Sequence, residues 1–370
     1  EGYSPATLAW LENHPRWDPR LRLVGPTRRE EILRRRAEQG PDALGGHALA
    51  KVDSAVMGDQ EFDGLTGRIS QVNGFCMAAN CKTHALATMH MQMQIASATG
   101  GGVASSAESG DGEQEQLIDG IPESFIGPLL ADLVAHEVGH TLGLRHNFKG
   151  SSVYTLAEIN SEDVKGKKPF ASSVMDYIPV NMRVHEGAEQ GDYAMIGIGP
   201  YDMWAIEYGY VTVKDQANDL KPILAKAAEP QLQYATDEDT WGPDPLARRY
   251  DFSKDPIDYA KDQMALVREN RKELLDKFVK EGESWSTARR GYLLTLSTQT
   301  KAIGMMANWV GGSHVNRHRK GDPNGKEPIE VVPPAKQREA LQFVVDQALS
   351  PEAFGLTPEL LRHMTVDKWW

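Results

Sequence analysis

The sequence predicts an α+β fold, and three observations lead there. In the N-terminal part a turn signal, Asp63-Gly64-Leu65-Thr66-Gly67, runs into the strand-like Arg68-Ile69-Ser70-Gln71-Val72. A well-marked helix follows Gly127-Pro128. Beyond Asp237 the chain carries long segments of helical periodicity at 257–280, 286–309 and 335–349, separated by Gly311-Gly312 and Asp322-Pro323-Asn324-Gly325.

A chain of 370 residues suggests two or three packed units. Its hydrophobic content of 40% is enough to bury a core. No apolar run is long enough to span a membrane. The 40 basic and 52 acidic residues leave a formal charge of −12, which repels nucleic-acid phosphate and anionic membrane, so neither is an expected partner. A chain that begins at Glu1 without a charged, apolar leader is what remains after removal of a signal or pro-segment, or is a piece of something longer.

Residues 27–36 read as a short exposed helix capped by Thr27, its basic run interrupted by glutamates. Met89-His90-Met91-Gln92-Met93 reads as methionine packing on a half-buried strand or helix in preference to a soft-metal site. Residues 99–116 are rich in Gly, Ser and acids and read as a solvated loop. Asp111, Glu113 and Glu115 offer calcium-type ligands, but at a spacing that fits no recognised calcium loop. Cys76 and Cys81 form either a local disulfide or two reduced thiols, because geometry decides and spacing does not.

The helix after Pro128 carries an apolar stripe of Leu129, Leu130, Leu133, Val134 and Val138, with proline expected in its first turn. It also carries the chemistry, in His136-Glu137-Val138-Gly139-His140-Thr141-Leu142-Gly143-Leu144-Arg145-His146. Histidines at i and i+4 lie about one turn apart on one helix face, so both imidazoles reach the same metal. Glu137 is placed to take a proton from water on that metal and to return it to a leaving amine. His146 would be carried away by further straight helix, so Gly143 is expected to end the helix in the left-handed conformation and turn the chain back. Three neutral histidines leave a fourth position open, as catalytic zinc requires.

The stretch resembles the zinc-binding consensus of the metzincin clan of metallopeptidases, HExxHxxGxxH. The resemblance implies a methionine turn beneath the metal, and Ser172-Ser173-Val174-Met175-Asp176-Tyr177-Ile178-Pro179 supplies Met175. It also implies a role for Tyr177, which in astacin-like and serralysin-like relatives approaches zinc and then hydrogen-bonds the tetrahedral intermediate. Asn147 after the third histidine, Asp202-Met203-Trp204-Ala205-Ile206-Glu207-Tyr208-Gly209-Tyr210, the Asp63-to-Ile69 turn and Asn308-Trp309-Val310-Gly311-Gly312 are similar to a group of large secreted bacterial proteins with a C-terminal metzincin-like domain.

The resemblance implies a twisted, mostly parallel sheet with the active-site helix in residues 1–143. A subdomain bearing the third histidine and the methionine turn would span 144–236, and a helical extension 237–370. It further implies a zinc endopeptidase acting on an extended polypeptide, in a secreted or periplasmic setting. The same histidines also suit a non-peptide zinc hydrolase or an inactive binding domain, although the latter has no need of Glu137. His84, His90, His185, His314 and His318 are expected to be surface or packed histidines without chemistry.

Overall fold

The computed structural model describes residues 78–98, 116–118, 120–183 and 189–366. The chain divides into two compact units, Glu1–Cys76 and Met77–Trp370, and the described residues belong to the second. The strand-like segment at 63–72, the basic helix at 27–36, the loop at 99–115, His185 and the pairing of Cys76 with Cys81 lie outside the described residues.

Among the described residues, β-structure amounts to two antiparallel pairs. Strand β1 (Leu117–Ile118) pairs with β2 (Ile121–Pro122) across a turn in which Gly120 has φ +78°. Strand β3 (Ser313–Val315) pairs with β4 (Ile329–Val331). The expected mostly parallel sheet is not among these residues, since parallel strands need long crossovers and both pairs are local antiparallel ones. The fold described is helix-rich with small antiparallel sheets.

Helix α1 (Ala78–Ala98) holds the methionine-rich run. Its Ala85 and Met89 pack with Phe125 and Leu129, while Met91 packs into a second cluster with Leu274, Phe278, Tyr292 and Leu360. His90 stays exposed beside Gln94, so the run serves packing. Lys82 pairs with Asp132 and ties α1 to the next helix.

That helix, α2, spans Glu123–Thr141, and Pro128 lies inside it instead of in its first turn. The extra turns are held by packing: Phe125 is buried, its ring edge-on to Tyr193 with centroids 4.7 Å apart, and Glu123 N donates to Gln116 O. Tertiary burial here outweighs the proline signal. The predicted stripe also divides. Leu129 is buried, whereas Leu130, Val134 and Val138 are 55%, 60% and 48% exposed. Periodicity tells which residues share a helix face, but not whether anything covers it.

The predicted C-terminal helices are present with small shifts at their ends. Helix α3 spans Pro200–Tyr210 and α4 spans Pro256–Lys272, with a π-helical turn at Leu274–Phe278. Helices α5 (Ser286–Ala307), α6 (Pro334–Ala348) and α7 (Pro358–His363) follow. Asp255 caps α4 and Thr357 caps α7 through backbone N–H groups that would otherwise lack partners. The main core joins Met264 and Val267 of α4, Ala302 and Met306 of α5 and Phe343 of α6 to Val174, Met175 and Ile178. The helical part thus builds the floor beneath the predicted methionine turn. Among the described residues no helix is long and apolar enough to cross a membrane.

Phe252 is fully buried, with edge-on contacts to Phe170 at 5.4 Å and Tyr259 at 5.2 Å. Phe252→Ala should cost about 3–5 kcal/mol of unfolding free energy, read as a lowered midpoint in urea denaturation. An unchanged midpoint would mean that this core does not hold the helical part to the turn.

Candidate metal centre

The methionine turn is held first by a carboxylate. Asp202, in the first turn of α3, is almost fully buried. It accepts from Ser173 Oγ at 2.5 Å, Val174 N at 2.8 Å and Gly199 N at 3.1 Å. Ser173 Oγ in turn accepts from Met175 N at 3.0 Å. At Gly199 a Cβ would fall 1.9 Å from Ser172 O, so only glycine lets α3 start this close to the turn.

Helix α2 then lies on that turn. Met175 is fully buried, and a Cβ on Gly139 would sit 2.3 Å from its Sδ. His136 Nδ1 donates to Val174 O at 2.6 Å and His140 Nδ1 to Leu144 O at 3.0 Å. The helix ends at Thr141, and Gly143 takes φ +90°, turning the chain toward His146. Leu144 N bonds back to Gly139 O, and Asn147 N bonds to Met175 O at 3.0 Å. His146 Nδ1 donates to Asp237 Oδ2 at 2.9 Å.

Because carbonyl and carboxylate oxygens only accept, all three Nδ1 atoms carry a proton, and in the neutral form of each ring Nε2 is the nitrogen with the lone pair. The three rings converge, with one ligand atom of each within 4.8 Å of the others. His140 Nε2 and His146 Nε2 lie 3.2 Å apart. Two facing lone pairs repel unless a cation lies between them, and bonds of about 2.0–2.1 Å to a tetrahedral zinc put two nitrogens at nearly that separation. His136 Nε2 is buried with no hydrogen-bond partner, which is costly unless a ligand completes it. Burial, and after it the neighbouring His140 and His146, hold the His136 pKa down to about 3. Burial and His146 also lower His140. Both are neutral imidazoles, the form that binds metal. The residues fit zinc.

Glu137 is exposed on α2, and its charge acts on His140. Tyr177 is buried, with ring centroids 4.7 Å from His146 and 5.5 Å from His136, and it stacks on Tyr250 at 5.9 Å. The structure therefore brings together His136, His140, His146, Gly143, Met175 and Tyr177, with Glu137 next to His136 on α2. Among the described residues it keeps the other histidines apart from this cluster. His84 bonds Thr298, His314 lies 3.4 Å from Asp244, and His318 accepts from Lys326 N.

Sequence reading missed Asp202, Asp237, Arg249 and Phe148. Asp202, Asp237 and Arg249 reach the site from far along the chain, and Phe148, two residues after His146, shows its ring stacking only in the fold. Gly139 stands inside the motif, but no spacing rule marks its contact with Met175.

A three-histidine centre carried by one helix and the loop after it, seated on a buried methionine turn, is the arrangement of a metzincin-type metal site. The chain belongs to the Met-zincin family, whose sequence model matches residues 119–369. No curated protein and no solved structure matches it.

Behind the turn sit two buried carboxyls, Asp176 and Asp251. Ser151 serves both, its N–H donating to Asp176 at 2.9 Å and its hydroxyl to Asp251 at 3.2 Å. Asp176 Oδ1 and Asp251 Oδ2 are buried without partners. Burial raises both acids; Asp251 is pushed up to about 8 although Arg248 works the other way.

Two predictions follow from these contacts. Gly139→Ala should lower unfolding free energy by about 1–3 kcal/mol through overpacking against Met175, seen in chemical denaturation, and should weaken zinc retention on dialysis. If both stay at parental values, the close approach is not a constraint. For Asp251, the unfolded carboxyl ionises near 4, whereas the folded one keeps its proton to about 8. Over that window the folded chain holds the extra proton, so the group's contribution is fully present below about 4 and is lost as pH rises toward 8. Between about pH 5 and about pH 8 the parent should lose stability relative to Asp251→Asn, and parallel profiles would show that Asp251 does not titrate this way.

Proposed function

We propose that this chain is a zinc-dependent endopeptidase, with His136, His140 and His146 holding one zinc ion and Glu137 acting as general base. The observation that carries the reading is the convergence of three Nε2 lone pairs beside a carboxylate left exposed on the same helix. A purely structural site would be closed by a fourth protein ligand. Among the described residues the cluster of metal-type ligands is three histidines.

Bound zinc supplies a Lewis acid that polarises the scissile carbonyl and makes water acidic enough to lose a proton near neutral pH. The rest of the chemistry falls to the chain. Glu137 follows His136 directly, so its carboxylate accepts the proton of the attacking water and then delivers it to the departing amine. The Nδ1 hydrogen bonds of the three histidines fix their tautomers and ring planes. Tyr177, packed against two of the rings, hydrogen-bonds the oxygen that gains charge as the carbonyl becomes tetrahedral. Met175 and Gly139 set the depth at which the helix lies. No covalent enzyme intermediate is needed. The substrate class is a polypeptide bound in extended form, and the setting we assign is secreted or periplasmic.

The test compares the parent with Glu137→Gln for zinc content and for cleavage of a mixed peptide library. Both should hold zinc at about one per chain, while the variant should cut roughly 10²–10⁴-fold more slowly and chelation should stop the parent. Equal cleavage by the two proteins would remove Glu137 from the mechanism. A zinc-loaded parent that cuts no peptide but hydrolyses small esters or amides would transfer the site to non-peptide substrates.

A further inference from the structure

His146 differs from the other two histidines in how it is held. His136 and His140 donate to main-chain carbonyls within or beside the methionine turn and the helix end, positions set by the backbone. His146 alone donates to a side-chain carboxylate, Asp237 Oδ2, from a segment 91 residues further on. Asp237 is 8% exposed, and its other oxygen, Oδ1, is bound by Arg249 Nη2 at 2.9 Å. Each carboxylate oxygen thus has its own partner.

Arg249 also touches the second support of the same ring. Its guanidinium lies 5.1 Å above Phe148, and Phe148, fully buried, stacks on His146 at 5.0 Å and 25°. The imidazole is therefore gripped at its edge by Asp237 and on its face by Phe148, with Arg249 against both grips.

We propose that Asp237, anchored by Arg249, is the positioning residue for the third metal-binding histidine. The carboxylate holds the Nδ1–H tautomer and the ring plane, and its negative charge strengthens His146 Nε2 as a donor to the metal. The inference rests on the zinc-binding part of the function proposed above and not on its peptidase part.

Asp237 is separable from the general folding of its segment. Asn147 Nδ2 donates to Gln233 O, Phe148 N to Ala235 O and Arg248 N to Phe148 O. Arg145 forms a two-pronged pair with Glu238 at 2.8 and 2.9 Å. These contacts hold the segment against residues 145–148 without the Asp237 side chain, so a change there need not release it.

The experiment titrates zinc into the metal-free full chain in competition with a chromophoric chelator, for the parent, Asp237→Asn and Arg249→Met. Melting temperatures of the metal-free proteins are recorded alongside. Asp237→Asn should bind zinc roughly 10–100-fold more weakly while its metal-free melting temperature stays at the parental value. Arg249→Met should shift affinity the same way by less, because it removes the anchor and leaves the acceptor. A variant Asp237→Asn that melts earlier without metal yet binds zinc as tightly as the parent would make Asp237 a structural ion-pair member and overturn the inference. If the parent takes up zinc and both variants match it, the inference falls while the metal reading stands. A parent that takes up no zinc overturns both.

Discussion

One buried carboxylate carries much of the metal centre. Asp202 collects three hydrogen bonds from Ser173, Val174 and Gly199 and thereby fixes the path of the methionine turn. Burial pushes its pKa up, and the three donors pull against that shift. Such charge-assisted bonds are stronger than neutral ones in a poorly polarisable interior, where an unpaired acid would be costly. From that anchored turn the Val174 carbonyl reaches His136, the Met175 carbonyl reaches Asn147, and the Met175 sulphur meets the backbone of α2. His136, the chain just after His146 and the floor beneath them are thus referred to a single loop.

The surroundings of that loop show how the chain deals with buried charge. Lys149 pairs with Asp244 at 2.6 Å and donates to Val315 O at 2.8 Å. Burial pushes Asp244 up, but His314, Lys149 and Val315 overcome it and hold its pKa at about 2. A few residues away Asp176 and Asp251 share one serine and have two oxygens without partners. The contrast follows from partner supply: the Lys149 contact and its companions pull Asp244 down, whereas at Asp176 and Asp251 burial outweighs the bonds from Ser151 and the opposing charge of Arg248. Backbone strain gathers at the same place, for Tyr250 and Ser253 take φ +67° and +72° on either side of Asp251. Non-glycine residues hold such angles only when neighbouring contacts over-determine them. Here Tyr250 stacks on Tyr177 and donates its N–H to the Tyr177 carbonyl.

What could be read in advance was whatever repeats at short range. Helices α4, α5 and α6 announced themselves by periodicity, and the i, i+4 histidines by the pitch of a helix. Gly143 was readable because a backbone reversal there asks for a residue without a Cβ. The start of α2 was not readable: burial of Phe125 extends the helix past Pro128, and no local rule weighs a tertiary contact against a proline. The apolar face at Leu130, Val134 and Val138 misled for a related reason, since spacing alone says nothing about cover. Asp202 stands among apolar and aromatic residues and Asp237 in an acidic run, and only the fold reveals that one anchors the methionine turn and the other holds His146.

This division has a chemical consequence. His136, Glu137 and His140 come from one helix and need only that helix to form, so their geometry is set locally. The third ligand lies past a left-handed glycine, where the chain has many more paths open to it, and ordering it has an entropic cost that local structure does not offset. The segment from Gln233 to Arg249 meets that cost with backbone bonds to Asn147 and Phe148, the Arg145–Glu238 pair and the Asp237 carboxylate. Convergence of the three histidines therefore depends on long-range closure of the chain as well as on the motif. A chain bearing the full HExxHxxGxxH pattern without such a segment would place two imidazoles well and leave the third to wander. Completion of the three-histidine cluster thus reports that residues on either side of the methionine turn have folded together.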